Sequence, residues 1–313
     1  MRIIEVVKGG ALSTVQDLGR YGYQRFGVPV SGALDQFALR VGNLLAGNDE
    51  SDAGLEATFL GPTLRFHFDA TVAITGADLS PVLDGQPIPV WATVSVPAGS
   101  MLSFKGPKDG IRSYVCVRGG IDVPIVMSSR STFTRSQFGG FHGRALAAGD
   151  MLPVANPHGD ALQPAERSLA SKDVPRYGHR HSLRVTMGPQ DDAFTAEGID
   201  TFLASEFTVT PMFDRMGYRL EGPVIQHKKG ADIVSDGTTR GAVQVPGSGK
   251  PIVLLADCGT TGGYTKIATV ISTDLSRMAQ AQPGDTVAFR VVSLEEAHRA
   301  LSEQEAFIAS LRG

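Results

Sequence analysis

The segment from Asp257 to Lys266 gathers glycines, hydroxyls and a lysine directly after an apolar run, Ile252 to Ala256. Glycines permit positive φ angles and allow successive backbone N–H groups to approach a ligand closely. The segment therefore predicts an anion-binding turn, for which a plain connection between two strands is the alternative. The residues of this turn would be Thr260, Thr261, Gly262, Gly263, Tyr264 and Lys266.

Arginines recur in four other runs, beside aspartates or hydroxyl side chains. Asp17 and Arg20 lie in a polar, glycine-rich run from Gln16 to Asp35. An aspartate that orients an arginine presents a planar guanidinium, which suits a carboxylate or a phosphate. The alternative is a structural ion pair, with Ser31 or Asp35 capping a helix. Three later runs also contain an arginine: Arg118 with Asp122, Arg130 with Ser131 and Thr132, and Asp214 with Arg215 and Tyr218. For these runs the alternatives are turns with solvated arginines and a salt-bridged hairpin.

Three further patterns resemble known motifs only in part. Cys258 lies where a nucleophile would be accessible, but a small structural residue is the favoured interpretation because no partner base can be assigned. The run Gly247 to Lys250 lacks the first glycine of a phosphate-binding loop, and Pro251 follows it where Ser or Thr should bind magnesium. His179 and His181 alternate among arginines. We interpret them as a solvated basic patch, and the sequence assigns no metal site.

Composition excludes several classes of protein. The chain has 313 residues, of which 42% are hydrophobic and 19% charged, and its net charge is -3. These values are typical of a soluble globular protein and lack the basic excess that nucleic-acid binding requires. Charges near the N-terminus argue against a signal peptide, and no apolar run reaches the roughly 18 residues of a membrane span. With only Cys116 and Cys258, the sequence predicts no disulfide framework and a cytoplasmic location.

Strand-like periodicity dominates both halves and predicts a mainly β fold. Between Thr63 and Val154 the apolar residues alternate or form β-branched runs that Gly and Pro interrupt, as in a barrel or sandwich. Three segments around Gly99, Gly149 and Gly284 share a turn-then-strand pattern, which suggests that the halves are built alike. A stretch rich in Pro, Gly and charge separates them. The predicted organisation is a first domain over residues 1–158, a linker over 159–180 and a second domain over 181–313.

Few helices are expected. Apolar positions from Asp35 to Leu45 fit one helical face, and Gly47 follows as a stop signal. The segments Asp191–Ala196 and Leu294–Leu311 are the other candidates. Ser293 is a plausible N-cap for the last of these, because two glutamates stand in its first turn.

Taken in order, these runs resemble the biotin-dependent carboxyltransferase or allophanate hydrolase subunit 2 family, to which KipA and the C subunit of 5-oxoprolinase belong. The resemblance covers nearly the whole chain and is carried by residues 16–35, 55–56, 117–124, 129–132, 214–223 and 260–264. It implies two cyclophilin-like β-barrel domains with a few short helices. It also implies a protein partner, the subunit 1 or KipI-like protein.

The activity that this resemblance implies first is an ATP-dependent 5-oxoprolinase complex, an amide-ring hydrolase that activates 5-oxoproline for ring opening to L-glutamate. The chain would act with the A and KipI-like B subunits of 5-oxoprolinase, and ATP with Mg would be the cofactor of the complex. No covalently bound biotin is expected here, because the chain has no Met-Lys-Met biotinyl motif.

Within that activity, a cationic group would stabilise a substrate carboxylate and a transferring phosphoryl group. The expected cations are Arg20, Arg118, Arg130 and Arg215, with Asp17, Asp122 and Asp214 orienting them or holding a metal ion. Two alternatives remain open. One is the carboxyltransferase half of a urea or amide carboxylase, and the other is a KipA-like regulator that binds a KipI-like partner without chemistry of its own.

Overall fold

The computed structural model describes residues 2–156 and 166–312. The chain divides into two compact units. Unit 1 comprises Met1–Arg20, Ser31–Arg176 and Ile308–Gly313, and unit 2 comprises Tyr21–Val30 and Tyr177–Phe307. The domain and linker bounds expected from the sequence stay a prediction, and residues 159–165 of that linker lie outside the described residues.

Unit 1 contains two antiparallel sheets that share one apolar core. The six-stranded sheet has the order β11-β1-β4-β9-β6-β7 and the five-stranded sheet the order β2-β3-β10-β5-β8. Their strands are β1 (Ile3–Lys8), β2 (Leu12–Gln16), β3 (Gly54–Thr58), β4 (Thr63–Phe66), β5 (Ala70–Asp78), β6 (Pro81–Leu83), β7 (Gln86–Pro87), β8 (Ala92–Val96), β9 (Met101–Phe104), β10 (Asp109–Val117) and β11 (Met151–Pro153). Alternation explains the inward face of β1, where Ile4 and Val6 are buried between less buried neighbours.

Helix α1 (Gln36–Ala46) packs on the central strands β5 and β10. Its predicted start is confirmed, because the Asp35 carboxylate accepts a hydrogen bond from Ala38 N at 2.9 Å. A Cβ atom on Gly42 would lie 2.6 Å from Thr75 Oγ1 and 2.8 Å from Cys116 Sγ. Only glycine therefore permits this close approach of helix and sheet. Cys116 is buried at this contact as a small core residue.

Unit 2 contains a closed seven-stranded barrel, in the order β12-β19-β16-β17-β14-β13-β20. Parallel pairing of β12 with β20 joins two of its strands, and a separate two-stranded sheet is formed by β15 and β18. The strands are β12 (Arg180–Met187), β13 (Glu206–Phe213), β14 (Gly217–Glu221), β15 (Asp232–Gly237), β16 (Ala242–Gln244), β17 (Ile252–Leu254), β18 (Thr261–Tyr264), β19 (Lys266–Val270) and β20 (Thr286–Val291). The mainly β prediction is confirmed.

The remaining helices are α2 (Ala196–Ala204), α3 (Leu275–Gln280) and α4 (Leu294–Ser310). Helix α4 has its predicted start, where Glu296 N donates to Ser293 Oγ and the Glu296 carboxylate accepts from Ser293 N. The prediction of a helix over Asp191–Ala196 is wrong. Asp191–Ala193 is a single 3-10 turn, and α2 begins later because the Thr195 side chain caps it by accepting from Gly198 N at 2.9 Å. In the described ranges, no helix combines the length and the apolar character needed to span a membrane.

The three turn-then-strand segments form as predicted. Gly99, Gly149 and Gly284 have φ angles of 91°, 91° and 94°, in the region that glycine tolerates and other residues rarely adopt. Each glycine stands shortly before the start of a strand, which is β9, β11 or β20. The repeated pattern in the sequence thus corresponds to a repeated local conformation.

Candidate functional site

The Asp17 carboxylate joins two segments of unit 1. Its Oδ1 accepts hydrogen bonds from Gly19 N at 2.8 Å and from Ser129 Oγ at 2.7 Å, and its Oδ2 accepts one from Arg130 N at 2.6 Å. The Ser131 hydroxyl donates a further, short hydrogen bond to Oδ1. Asp17 is buried. The carboxylate therefore fixes the loop after β2 against the segment that carries Arg130.

Arg130 and Asp122 form the most accessible pair of predicted site residues in unit 1. Arg130 Nε donates to the Val123 carbonyl at 3.0 Å, while Nη2 lies 3.4 Å from Asp122 Oδ1. The Asp122 side chain is 53% exposed, and that of Arg130 is 33% exposed. Because their ion pair is long, both groups keep hydrogen-bonding capacity for a ligand.

Two pockets meet at Asp122. One has a cavity volume of about 320 Å³ and is lined by Arg130, Asp49, Asp52 and Asp122, among others. We call it the Arg130 cleft. The second, the Phe138 pocket, has a volume of about 430 Å³ and runs along Asp122, Val126 and the segment from Gln137 to Gly143. The carboxylates make the Arg130 cleft electronegative, so an anion is not its natural ligand.

The other predicted residues of unit 1 are less accessible. Arg20 is fully buried, its guanidinium donates to the Ser131 carbonyl, and it lies 4.8 Å from the centre of the Phe138 ring. Ser131 and Thr132 are also fully buried, and Thr132 Oγ1 donates to the Val15 carbonyl at 2.9 Å. This geometry favours structural roles over the predicted direct contacts with an anion. Arg118, just after β10, is half-buried and does not line the Arg130 cleft.

The prediction of a positive-φ turn at Thr260–Tyr264 is wrong. Thr261–Tyr264 is strand β18, which pairs with β15, and neither Gly262 nor Gly263 has a φ angle between +20° and +160°. Its backbone groups therefore serve a sheet rather than a concave anion site. Thr261 and Tyr264 are exposed, and Thr260 is half-buried.

Lys266 is held inside unit 2. Its ammonium lies 2.8 Å from Asp236 Oδ2 and donates to the Gly237 carbonyl at 3.1 Å. Only 4% of the lysine side chain is exposed. The hydrogen bond from Lys266 is the main cause that lowers the pKa of Asp236. The lysine therefore anchors strand β15, which the sequence could not show because the two residues are 30 positions apart.

Arg215 has a partner that the sequence did not reveal. Its Nε and Nη2 donate to the two oxygens of Asp257, at 2.9 Å and 3.1 Å, and both side chains are buried. Asp214, which was expected to orient Arg215, instead accepts from Met216 N at 2.7 Å and shapes the turn before β14. Tyr218 is fully buried on β14, with its ring 5.1 Å from that of Phe213. Arg215 and Tyr218 are thus both buried within unit 2.

Cys258 lines a pocket of about 420 Å³ in unit 2. Burial is the main cause that raises the pKa of its thiol to about 11. The protonated thiol is a poor nucleophile at neutral pH.

We therefore expect iodoacetamide to alkylate Cys258 much more slowly in the native chain than in the urea-unfolded chain near pH 7. The native rate should rise as the pH approaches about 11, because the thiolate fraction rises with it. Peptide mass spectrometry measures both rates. Rapid labelling of the native chain near pH 7 would instead support a nucleophilic Cys258.

Two observations on the described residues concern a nucleotide or metal site. Lys250 lies 2.6 Å from Glu221 Oε1 and donates to the Gly222 carbonyl, so it is not aimed at a phosphate. Across residues 2–156 and 166–312, no three His, Cys, Asp or Glu side chains are grouped to hold a metal ion. The predicted solvated patch is wrong for His181, which is buried with Nε2 3.0 Å from Asp285 Oδ2.

Residues 26–291 match the carboxyltransferase domain family, subdomains A and B. The chain belongs to this family. This carboxyltransferase-family chain is 38% identical to the C subunit of 5-oxoprolinase from Haemophilus influenzae, over 99% of the chain and 98% of that protein. It is 37% identical to the C subunit of 5-oxoprolinase from Escherichia coli, over 99% of the chain and 97% of that protein.

A solved structure of the same family has a much longer chain. The crystal structure of the K. lactis urea amidolyase superposes on 99% of this carboxyltransferase-family chain with a TM-score of 0.93 and 31% sequence identity. This chain corresponds to only 20% of that one. The relationship therefore confirms the fold, and this chain spans about a fifth of the longer protein.

Proposed function

We propose that this chain is the C subunit of an ATP-dependent 5-oxoprolinase complex. The observation that carries the proposal is the identity of 38% and 37% to two proteins of that name, over almost their entire lengths. The urea amidolyase, by contrast, corresponds to this chain over a small part of its own length. The chain would act with the A and KipI-like B subunits in the cytoplasm.

The Arg130–Asp122 pair supports a small cyclic amide as the substrate. A lactam presents a carbonyl acceptor and an N–H donor on the same edge. Arg130 supplies donors and Asp122 an acceptor, side by side at the junction of two pockets. Such a pair positions the amide and stabilises charge that develops on its oxygen, which is where activation for ring opening takes place.

In this proposal, a partner protein binds ATP and Mg. The residues around Lys250 do not form a phosphate-binding loop, since the lysine is paired with Glu221. When bound in the complex, ATP would supply the phosphoryl group that activates the amide oxygen. The residues of this chain would bind and orient the amide and exclude water from it.

We expect 5-oxoproline-dependent ATP hydrolysis and glutamate formation when this chain is combined with the A and B subunits. Omission of this chain should reduce the rate to the background level, because the amide would then lack its binding partners. Phosphate release and glutamate are measured in parallel, and each pair of subunits serves as a control.

The same set of purified subunits can be tested for the other two functions. The family and the fold are shared with urea amidolyase, so a carboxyltransferase role is the second candidate. It would be favoured if the complex formed without 5-oxoproline turnover but transferred a carboxyl group from a carboxybiotin carrier to urea. Tight binding to the KipI-like partner without either reaction would favour a KipA-like regulator. Either result would overturn the oxoprolinase proposal.

A further inference from the structure

The segment from Gln137 to Gly143 lines the Phe138 pocket. Gly139 and Gly140 have φ angles of +70° and +54°. Gly143 N donates to the Gly139 carbonyl at 2.8 Å, but the N–H groups of Gly139, Gly140 and Phe141 find no acceptor in the part of the chain that the structure describes. Gly140 is buried, and all three residues line the pocket. A buried N–H group requires an acceptor, so the pocket has unused capacity to bind one.

The conformation of this segment is enforced by its surroundings. A Cβ atom on Gly139 would lie 2.1 Å from the Ser131 carbonyl oxygen, and one on Gly140 would lie 1.8 Å from Thr132 Oγ1. Neither position can therefore carry a side chain without moving the Ser131–Thr132 segment. Successive N–H groups held in this way form a concave site that favours negative charge.

The surroundings favour a ligand in which an anionic group is attached to an apolar ring. Val123, Val126, Phe138 and Phe141 contribute apolar walls. The buried Arg20 guanidinium lies over the Phe138 ring, and its Nη2 is 2.7 Å from the Cβ position of Gly139. Its positive charge adds to the partial charges of the N–H groups. Asp122 is the carboxylate of the described lining, and Arg130 pairs with it.

We propose that the backbone N–H groups of Gly139, Gly140 and Phe141 bind the carboxylate of a small cyclic substrate. The identity of that substrate rests on the proposed function, which makes it 5-oxoproline. The carboxylate lies at the N–H groups, the ring contacts the apolar walls, and the amide edge meets Asp122 and Arg130. Unlike the turn predicted at Thr260–Tyr264, this segment has the positive φ angles that an anion site needs.

Three probes separate the parts of the ligand in calorimetric titrations of the full chain, alone and with the A and B subunits. Cyclopentanecarboxylate retains the carboxylate and lacks the amide, while 2-pyrrolidinone retains the amide and lacks the carboxylate. We expect 5-oxoproline to bind most tightly and cyclopentanecarboxylate to retain measurable affinity. The affinity for 2-pyrrolidinone should be at least about tenfold lower than that for 5-oxoproline. Equal affinity for 2-pyrrolidinone and 5-oxoproline would overturn the proposal.

A matched pair of variants tests the position of the carboxylate. His142 lines the same pocket, is exposed and has a φ angle of +58°, a conformation that Asn and Asp both tolerate. We expect His142→Asp to bind 5-oxoproline about tenfold more weakly than His142→Asn, because only the former adds a like charge near the ligand. Val126→Asp and Val126→Asn repeat the comparison from another wall of the pocket, and thermal melting confirms that each variant is folded.

The outcomes distinguish the site from the function. If the complex turns over 5-oxoproline while each Asp variant binds it as tightly as its Asn counterpart, the carboxylate site is wrong and the proposed function stands. If the complex turns over no cyclic amide, but carboxylates bind and the Asp variants weaken that binding, the site stands and the proposed function is wrong.

Discussion

Asp257→Ala is expected to lower the free energy of unfolding by about 3–5 kcal/mol, because it leaves the Arg215 guanidinium buried without its carboxylate. Arg215 and Asp257 are 6% and 5% exposed. Two hydrogen bonds join them, at 2.9 Å and 3.1 Å. Truncation of one partner removes the attraction and retains the cost of keeping the other charge out of water. Urea denaturation followed by circular dichroism measures the loss.

Two controls test whether the destabilisation comes from the burial of the remaining charge. Arg215→Met combined with Asp257→Leu removes both charges, and it should be clearly less destabilising than Asp257→Ala because the two buried charges are removed together. Glu206→Ala removes one partner of the exposed pair Arg180–Glu206, and it should cost less than about 1 kcal/mol. If Asp257→Ala were as mild as Glu206→Ala, the pair would not stabilise the barrel.

The same variants decide between two roles for Arg215. Its sequence context predicts contact with the substrate, whereas the structure encloses it with Asp257. A structural role predicts that activity falls in proportion to the folded fraction and returns to normal at low temperature. Normal stability with abolished turnover would restore the catalytic interpretation.

Local features of the fold could be predicted from the sequence because local interactions produce them. The Asp35 cap of α1, the capping box at Ser293 and the turns at Gly99, Gly149 and Gly284 each depend on residues within a few positions of each other. Their residue types have strong conformational preferences of their own. The start of α2 is also set locally, by the Thr195 cap, but the acidic residues upstream of it favour an earlier start in the sequence.

The candidate site was less predictable because its partners are distant in the sequence. Asp257 is 42 positions from Arg215, and Asp17 is 113 positions from Arg130. Nothing in the local sequence shows which carboxylate meets which donor. The segment Thr260–Tyr264 shows the converse problem, since its glycines permit a turn but pairing with β15 makes it a strand.

The N–H groups of Gly139, Gly140 and Phe141 could not be predicted for a third reason. In the sequence, the glycines of this segment are equally typical of an ordinary turn. Backbone donors carry no signature of their own in the sequence. They become visible only when each main-chain N–H group is matched to an acceptor.

Asp17→Ala is the second change with a large expected effect, about 3–5 kcal/mol of unfolding free energy together with loss of activity in the complex. The carboxylate accepts from Gly19 N, Arg130 N and the hydroxyls of Ser129 and Ser131. A buried donor that loses its acceptor costs about 1–3 kcal/mol, and these losses are not fully additive. The variant should also release the backbone of Arg130, whose guanidinium lies beside Asp122.

Asp17→Asn is the matched control, since it conserves the shape of the side chain. Its amide oxygen can accept from Arg130 N, and the Ser129 and Ser131 hydroxyls can rotate to accept from its NH2 group. The Gly19 N–H has no such freedom and would face an amide donor. We therefore expect Asp17→Asn to lower the free energy of unfolding, but by less than Asp17→Ala does. The variant should retain part of the 5-oxoproline-dependent ATP hydrolysis.

A comparison with Asp122→Asn distinguishes a residue that holds the backbone in place from one that contacts the substrate. Asp122 is exposed, so Asp122→Asn should leave the denaturation midpoint nearly unchanged while it weakens turnover, because the neutral amide no longer pairs with Arg130 as a carboxylate does. Asp17→Asn should affect stability first and activity as a consequence. If Asp17→Ala unfolded at the urea concentration of the unmodified chain, the four hydrogen bonds would not hold the Arg130 segment in place. The position of Arg130 would then depend on its own contacts with Val123 and Asp122 alone.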